Sequence, residues 1–253
     1  MLSQSHQHPR DFAIKFYDHL GKEEHVYVID GGSCKPQSVT TLIHHYFEQF
    51  DADGIINKNY AKWQRDHTNK YYGLTKEQIK AMWNKNGSEA SALGTAMHQS
   101  IEDFFNGVLN EKPNTVEFKY FESFWSDFIR INPNFKPYRS EWMIYTDSKK
   151  TAGSIDMTLE NENGEILILD WKRSKEIKTE NGFKKKGKDQ LCHLEDCNYS
   201  HYTLQLNCYR VMLQDFYGKK VKGMYLVILH PDNKNYLMMP VPVLEKEARS
   251  ILK

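Results

Sequence analysis

The sequence predicts a mixed α/β (α+β) domain in which helices flank a central sheet. Three observations lead there. Helix-patterned segments dominate before residue 131, three strand-like runs follow one another between residues 140 and 172, and helix then strand return after residue 203. Strands joined by short turns, with helices before and after them, have to pack as layers around one core.

Taken in order, "HVYVI" at 25–29 reads as a short strand ended by the turn-rich "DGGSCKP". "SVTTLIHHYFEQF" reads as a helix that Ser38 opens as N-cap. "TKEQIKAMW" carries a capping box, Thr75 with Gln78, so a second helix starts there. "GTAMHQSIEDFFNG" is a third, with Met97, Ile101, Phe104 and Val108 at helical spacing. "TVEFKYFESFWSDFIR" is a fourth and stops near Asn132–Pro133. "SEWMIYT", "GSIDMTL" and "EILILDWK" are the three strands, and a long polar loop occupies 175–199. A helix is expected from Thr203 to Tyr217, then strands in "GMYLVILH" and "NYLMMPV", and a terminal helix in "VLEKEARSIL". No linker composition divides the chain. It is therefore expected to form one domain, with a strand and helical elaboration at 1–93 and a core at 94–253.

Charged residues make up 26% and hydrophobic residues 40%, an ordinary globular composition, and the net charge of +1 gives no global signal for nucleic acid. Any such partner must be held by local patches. No apolar run approaches the ~20 residues of a membrane span, so no membrane partner is expected. The first twenty residues lack an apolar signal core, and Asp11 and Asp18 fit a transit peptide poorly. Cys34, Cys192, Cys197 and Cys208 form no CxxC pair, and reduced thiols in an intracellular protein are expected.

The most informative stretch is "GSIDMTLENENGEILILDWKRSK", where an apolar strand ends in Asp170, Trp171 and Lys172. Asn163–Gly164 is a strong hairpin signal. A three-residue loop centred on Asn163 sets Asp156 opposite Asp170, with Cβ atoms about 5 Å apart. A two-residue loop shifts the pairing by one. In the first register Lys172 shares their face, since side chains alternate along a strand. Two carboxylates this close resist joint ionisation unless a cation lies between them. Mg²⁺ is such a cation, held by one or two carboxylates, water and substrate phosphate. A metal so placed polarises a phosphodiester and activates water, and a nearby lysine orients that water or offsets developing charge.

His98 and Glu102 on the third helix, Glu141 on the first strand of the meander, and Gln205 with Tyr209 on the later helix are each unremarkable alone. Their order is not. G-T-x-x-H on a helix, G-x-x-D, a strand ending D-W-K, and Q-x-x-x-Y on a helix resemble the RecB-type branch of the PD-(D/E)XK nuclease superfamily. Within it the chain looks most like the mitochondrial genome maintenance exonuclease group and related nucleases of large DNA viruses and phages. "SVTTLI", "GTAMHQSIE", "GSIDM", "LDWKRSK" and "LQLNCYRVM" carry the resemblance in order.

That resemblance implies a restriction-endonuclease-like core and a metal-dependent deoxyribonuclease of DNA replication, repair or recombination. Asp156 and Asp170 would bind Mg²⁺ or Mn²⁺ with His98 and the Trp171 carbonyl, and Lys172 would be the catalytic lysine. Gln205 and Tyr209 would brace the site and the DNA backbone. Ser38 and Thr40 would contact a phosphate, and Glu102 and Glu141 would support. Arg173 stands where relatives often have Thr, so its role is a departure. The cysteines do not match the pattern of the iron–sulfur relatives, and no iron–sulfur cluster is expected. The expected substrate is single-stranded DNA with free ends, cut by a monomeric exonuclease. The alternatives are a structure-selective or double-strand endonuclease and an inactive DNA-binding module. "KKKGK" in the long loop can grip phosphates, and aromatics such as Trp63, Tyr71, Tyr72 and Trp83 can stack on unpaired bases.

Overall fold

A computed structural model describes residues 1–18 and 25–252. The chain falls into two compact units, one comprising Met1–Glu48 with Met97–Lys253 and the other Gln49–Ala96.

The larger unit is built on a mixed sheet. Strands β4 (Lys136–Tyr145), β5 (Thr151–Glu160) and β6 (Glu165–Lys172) form an antiparallel meander, and β7 (Lys220–Ile228) then pairs parallel with β6. β8 (Leu237–Pro240) closes the far edge against β7. The expected β-meander, the helix that follows it and the two later strands are all present. A two-residue strand, β3 (Gln37–Ser38), was not foreseen; it pairs parallel with Thr151 and Ala152 at the start of β5.

The hairpin between β5 and β6 takes the three-residue register. Met157 pairs with Leu169 and Glu160 with Ile166, both symmetric about Asn163. The Asn161 N–H donates to the Glu165 carbonyl at 3.1 Å, and Gly164 takes φ +72°, the left-handed geometry that glycine supplies at such a loop.

Each sheet face has its own apolar layer. Ile166, Ile168 and Met224 pack with α1 (Val39–His45), α5 (Asn198–Phe216) and α6 (Glu245–Ile251). Leu167, Leu169 and Trp171 pack with α4 (Val116–Ile131), whose Phe118, Phe121, Phe124 and Phe128 are all buried, and with Met97 and Ile101. Alternate residues of β6 therefore go to opposite faces, which leaves Asp170 and Lys172 on the α5 side.

The N-terminal segment is fastened to this unit. Asp11 forms a buried ion pair with Arg139 and accepts from the Trp142 indole at 3.0 Å. Beyond it, β1 (Ile14–Asp18) pairs with β2 (His25–Ile29). The sequence pattern revealed only the second of these strands.

In the smaller unit, α2 (Ala52–Trp63), capped by Asp51, was not anticipated. The two helices expected at 75–83 and 94–107 are one continuous α3, Lys76–Asn106. The stretch between them, with Gly87 and Gly94, is helical too, since a glycine inside a helix costs only about 1 kcal/mol. Tyr71 is buried with Ile56 and Ile79, and Trp63 and Trp83 pack against them. Trp63, Tyr71 and Trp83 thus build this unit's own core, while Tyr72 is exposed.

The 175–199 loop is a built structure. Leu191 is fully buried against α1 and α5, and the Lys188 N–H donates to the Tyr46 carbonyl at 2.7 Å. Of the lysines in "KKKGK", Lys185 pairs with Glu48 and Lys186 with Glu195. No described helix is long and apolar enough to cross a membrane.

Candidate active site

The site lies where the sheet is interrupted. β4 covers one edge of β5 throughout, but the other edge is covered by β3 only at residues 151–152 and by β6 only from Met157 onward. Asp156 sits in the gap. The same place is irregular on the β4 side: Trp142 pairs with Ile155 and Ser140 with Met157, but no pair joins Glu141 to Asp156. Glu141 has φ +43°, a left-handed conformation unusual for a non-glycine residue and characteristic of functional sites. The break also inverts the strand's faces. Ile155 packs in the α5 layer and Met157 in the α4 layer, although two residues apart they would normally share a face.

This break gathers three donors. One ligand atom each from His98, Glu141 and Asp156 lies within 4.8 Å of the others. His98 Nδ1 is 3.6 Å from Asp156 Oδ2 and 4.0 Å from Glu141 Oε1. The other ring nitrogen, Nε2, lies 2.9 Å from the Trp171 carbonyl, which can only accept. Nε2 therefore donates to that carbonyl, and Nδ1 is the ring nitrogen turned toward the two carboxylates. The Trp171 N–H in turn donates to Asp156 Oδ2 at 2.8 Å, and the Ser154 hydroxyl donates to Glu141 Oε2 at 2.9 Å. The Trp171 indole points away into the α4 layer, with Phe121 and Phe124 edge-on at 5.6 and 5.8 Å. That residue thus anchors the strand end by its side chain and serves the site by its backbone.

Asp170 lies beside this trio. It is buried, and its Oδ2 forms a 2.7 Å ion pair with Lys172 Nζ. Lys172 Nζ also reaches Gln205 Oε1 at 3.4 Å, and Gln205 Nε2 donates to the Tyr209 hydroxyl at 3.1 Å. The ammonium lies 4.7 Å from the centre of the Tyr202 ring. Tyr209 explains the glycine of "GSIDM": a Cβ on Gly153 would stand 2.5 Å from its ring carbon.

Titration follows from this crowding. Burial, and then the charge of Asp156, pushes the Glu141 carboxyl up to about 8. Burial pushes Asp170 up to about 6, with Lys172 opposing and Asp156 adding to the shift. Lys172 is raised in spite of its burial, because Asp170 and Asp156 favour the charged form. It is an ammonium at neutral pH. Buried carboxylates crowded together, with an imidazole nitrogen turned toward them, fit a divalent ion.

The remaining expected residues occupy three places. Ser38 caps α1, accepting from the Thr41 N–H at 3.0 Å, and its hydroxyl lies 2.8 Å from that of Thr40. Glu102 is half-buried and accepts from Asn106 at 3.2 Å; burial raises its pKa. Arg173 donates to Glu117 Oε1 at 2.7 Å, with both side chains largely buried, so it ties the end of β6 to the first turn of α4. Tyr27 of β2 was missed. It is buried, hydrogen-bonds the Ser154 backbone, and its hydroxyl is raised by burial and by the charges of Glu141 and Asp156. Nothing in "HVYVI" distinguishes such a tyrosine from a packing residue.

Comparison with known proteins accords with this geometry. No curated protein matches the chain. Among solved structures, a proposed exonuclease from Eubacterium rectale is similar at 11% identity and a TM-score of 0.38, over 63% of this chain. The chain spans 62% of that protein's length. A protein designated SSO0001 is similar at 14% identity and a TM-score of 0.33, over 92% of this chain and 76% of the other. The family model of the PD-(D/E)XK nuclease superfamily matches residues 41–252, nearly the whole of the sheet and both of its helical layers. The chain belongs to the PD-(D/E)XK nuclease superfamily.

Proposed function

We propose that the protein is a Mg²⁺- or Mn²⁺-dependent deoxyribonuclease that degrades single-stranded DNA from free ends. The observation that carries the nuclease chemistry is the convergence of His98, Glu141 and Asp156 at the break in β5, with the Asp170–Lys172 pair beside it. Those three residues would hold the ion, and Asp170 would complete the set. Glu141 is thereby promoted from a supporting acid to a ligand. When bound, the divalent ion would polarise the scissile phosphate and lower the pKa of the attacking water.

The chain's own residues do the rest. Lys172, held as an ammonium by Asp170 and Asp156, cannot take a proton from water; it orients the nucleophile and offsets charge on the phosphate. Gln205 and Tyr209 fix where that ammonium sits. Ser38 and Thr40 face outward at the start of α1, where hydroxyls and the helix end suit a phosphate of the same strand. The near-neutral chain then relies on few phosphate contacts. Digestion of end-labelled linear DNA in Mg²⁺, Mn²⁺ or EDTA tests the reading. Cleavage that survives EDTA, or no cleavage with either ion, would overturn it.

A further inference from the structure

A pocket of about 200 Å³ opens beside Lys172, lined by Thr40, Ile43, His44, Asn198, His201, Tyr202 and Gln205. None of its rings belongs to the metal trio. Two of its walls are shared with the reacting centre, because Gln205 and Tyr202 are the residues that contact the Lys172 ammonium. Whatever occupies it is therefore the immediate neighbour of the group that Lys172 addresses.

The walls are stiff. His201 Nε2 donates to Asp196 Oδ1 at 3.0 Å, and its ring lies 4.2 Å from that of Phe47. Asn198 is fully engaged: its Oδ1 accepts from the Lys178 N–H and its Nδ2 donates to the Glu176 carbonyl, both at 2.8 Å. His44 differs. Its ring is 5.8 Å from that of His201, it is exposed, and its nitrogens have no hydrogen-bond partner among the described residues. The pocket is thus lined by buried, apolar Ile43, by the rings of Tyr202 and His201, and by exposed His44, a ring with free donor–acceptor nitrogens. It is smaller than the pockets that take drug-sized ligands. A planar heterocycle with a polar edge suits it, and the neighbouring ammonium suits the phosphate attached to such a ring.

We infer that this pocket seats one unpaired nucleobase of the DNA strand, that of a nucleotide flanking the scissile phosphate. The inference rests on the nuclease reading above and deepens it. A base enters such a slot only when it is neither paired nor stacked, and extruding it from a duplex costs energy that a single strand does not spend. The pocket would then select single-stranded or frayed DNA without any contact to a free end.

The test is an abasic scan. Single strands carrying one abasic site, moved stepwise past the cleaved bond, are cut under single-turnover conditions by the wild type, by His44→Ala and by His44→Phe. Binding of strands with 2-aminopurine at the same positions is followed by fluorescence with Ca²⁺ in place of Mg²⁺, so that the pocket is read even if no strand is cut. One position should lose about tenfold when abasic, the scale of a single stacked base. His44→Ala should lose part of that factor on intact DNA and show a smaller further loss at that position than the wild type does, while His44→Phe, a ring without the donor–acceptor edge, should not recover it. Equal tolerance of abasic sites at all positions, with no position-specific fluorescence change, overturns the pocket assignment. Additive losses from the abasic site and His44→Ala overturn it too. Cleavage that proceeds with either result leaves the nuclease reading standing, so the two failures are distinguishable.

Discussion

At the residue scale, Asp156 has two tasks: it faces His98 Nδ1 and accepts the Trp171 N–H. Asp156→Asn keeps an acceptor for that N–H but removes the anionic ligand. It should abolish cleavage and leave the melting temperature within a few degrees of the wild type. Asp156→Ala should be less stable than Asp156→Asn, by about 1–3 kcal/mol, because it strands a buried donor. A fully active Asp156→Asn in a metal-dependent assay would remove Asp156 from the ligand set. Lys172→Ala removes the cation beside buried Asp170. Turnover should fall by orders of magnitude while affinity falls little, since the lysine's charge is already paired with Asp170; near-normal turnover with a large loss of affinity would make the lysine a phosphate anchor. The pH dependence has a definite sign. Glu141 and Asp170 bind protons more tightly folded than unfolded, so they favour the metal-free fold at low pH, and that contribution is lost as pH rises through about 6 and then about 8. Thermal melts in EDTA should fall over this window, Glu141→Gln should flatten the fall, and divalent ion should restore stability most at its upper end. A metal-free melting temperature that rises across the same range would contradict the arrangement.

Elements carry the next level, and Gly153 shows how. It lies in the uncovered stretch of β5, against the Tyr209 ring of α5. Gly153→Ala drives a methyl into that ring, an overpacking of about 1–3 kcal/mol, and displaces the hydroxyl that holds Gln205 and, through it, Lys172. Circular dichroism should stay native while turnover drops at least tenfold; unchanged turnover would mean that this chain of contacts does not position the lysine. The hairpin was legible in the sequence from Asn163–Gly164, and symmetry with side-chain alternation narrowed its register to two, of which the structure takes the three-residue one. His98, Gln205 and Tyr209 were legible only as an ordered set of motifs, since an i, i+4 pair on a helix has no signature of its own. The break at Glu141 was not legible. A left-handed glutamate inside a strand leaves no trace in hydrophobic alternation, which is why Glu141 looked like a supporting residue. Likewise the segments at 75–83 and 94–107 read as two helices where α3 is continuous. Arg173, read as a departure near the metal, ties β6 to Glu117 of α4, a partner 56 residues away that no local pattern connects to it.

At the scale of the whole molecule, charge, the built loop and the aromatic groups bear on the proposed preference for single strands. A net charge of +1 leaves little long-range attraction for a polyanion, and two of the "KKKGK" lysines are already paired with acids. Binding should then depend on salt only as a handful of phosphate contacts requires, with a slope of about −0.7 for each phosphate neutralised on a single strand. Selectivity must come from shape. Trp63, Tyr71 and Trp83 are committed to packing in the smaller unit, so they cannot supply a long stacking platform. If the protein degrades strands from their ends, a linear single strand and a covalently closed circle of the same sequence should differ sharply: the linear form vanishes in Mg²⁺ and the circle persists. A blunt duplex should be cut far more slowly than either a single strand or a duplex with long single-stranded tails. Rapid linearisation of the circle would instead make the protein an endonuclease built on the same metal site. Equal rates on blunt duplex would remove the strand preference altogether, while EDTA should stop every one of these reactions.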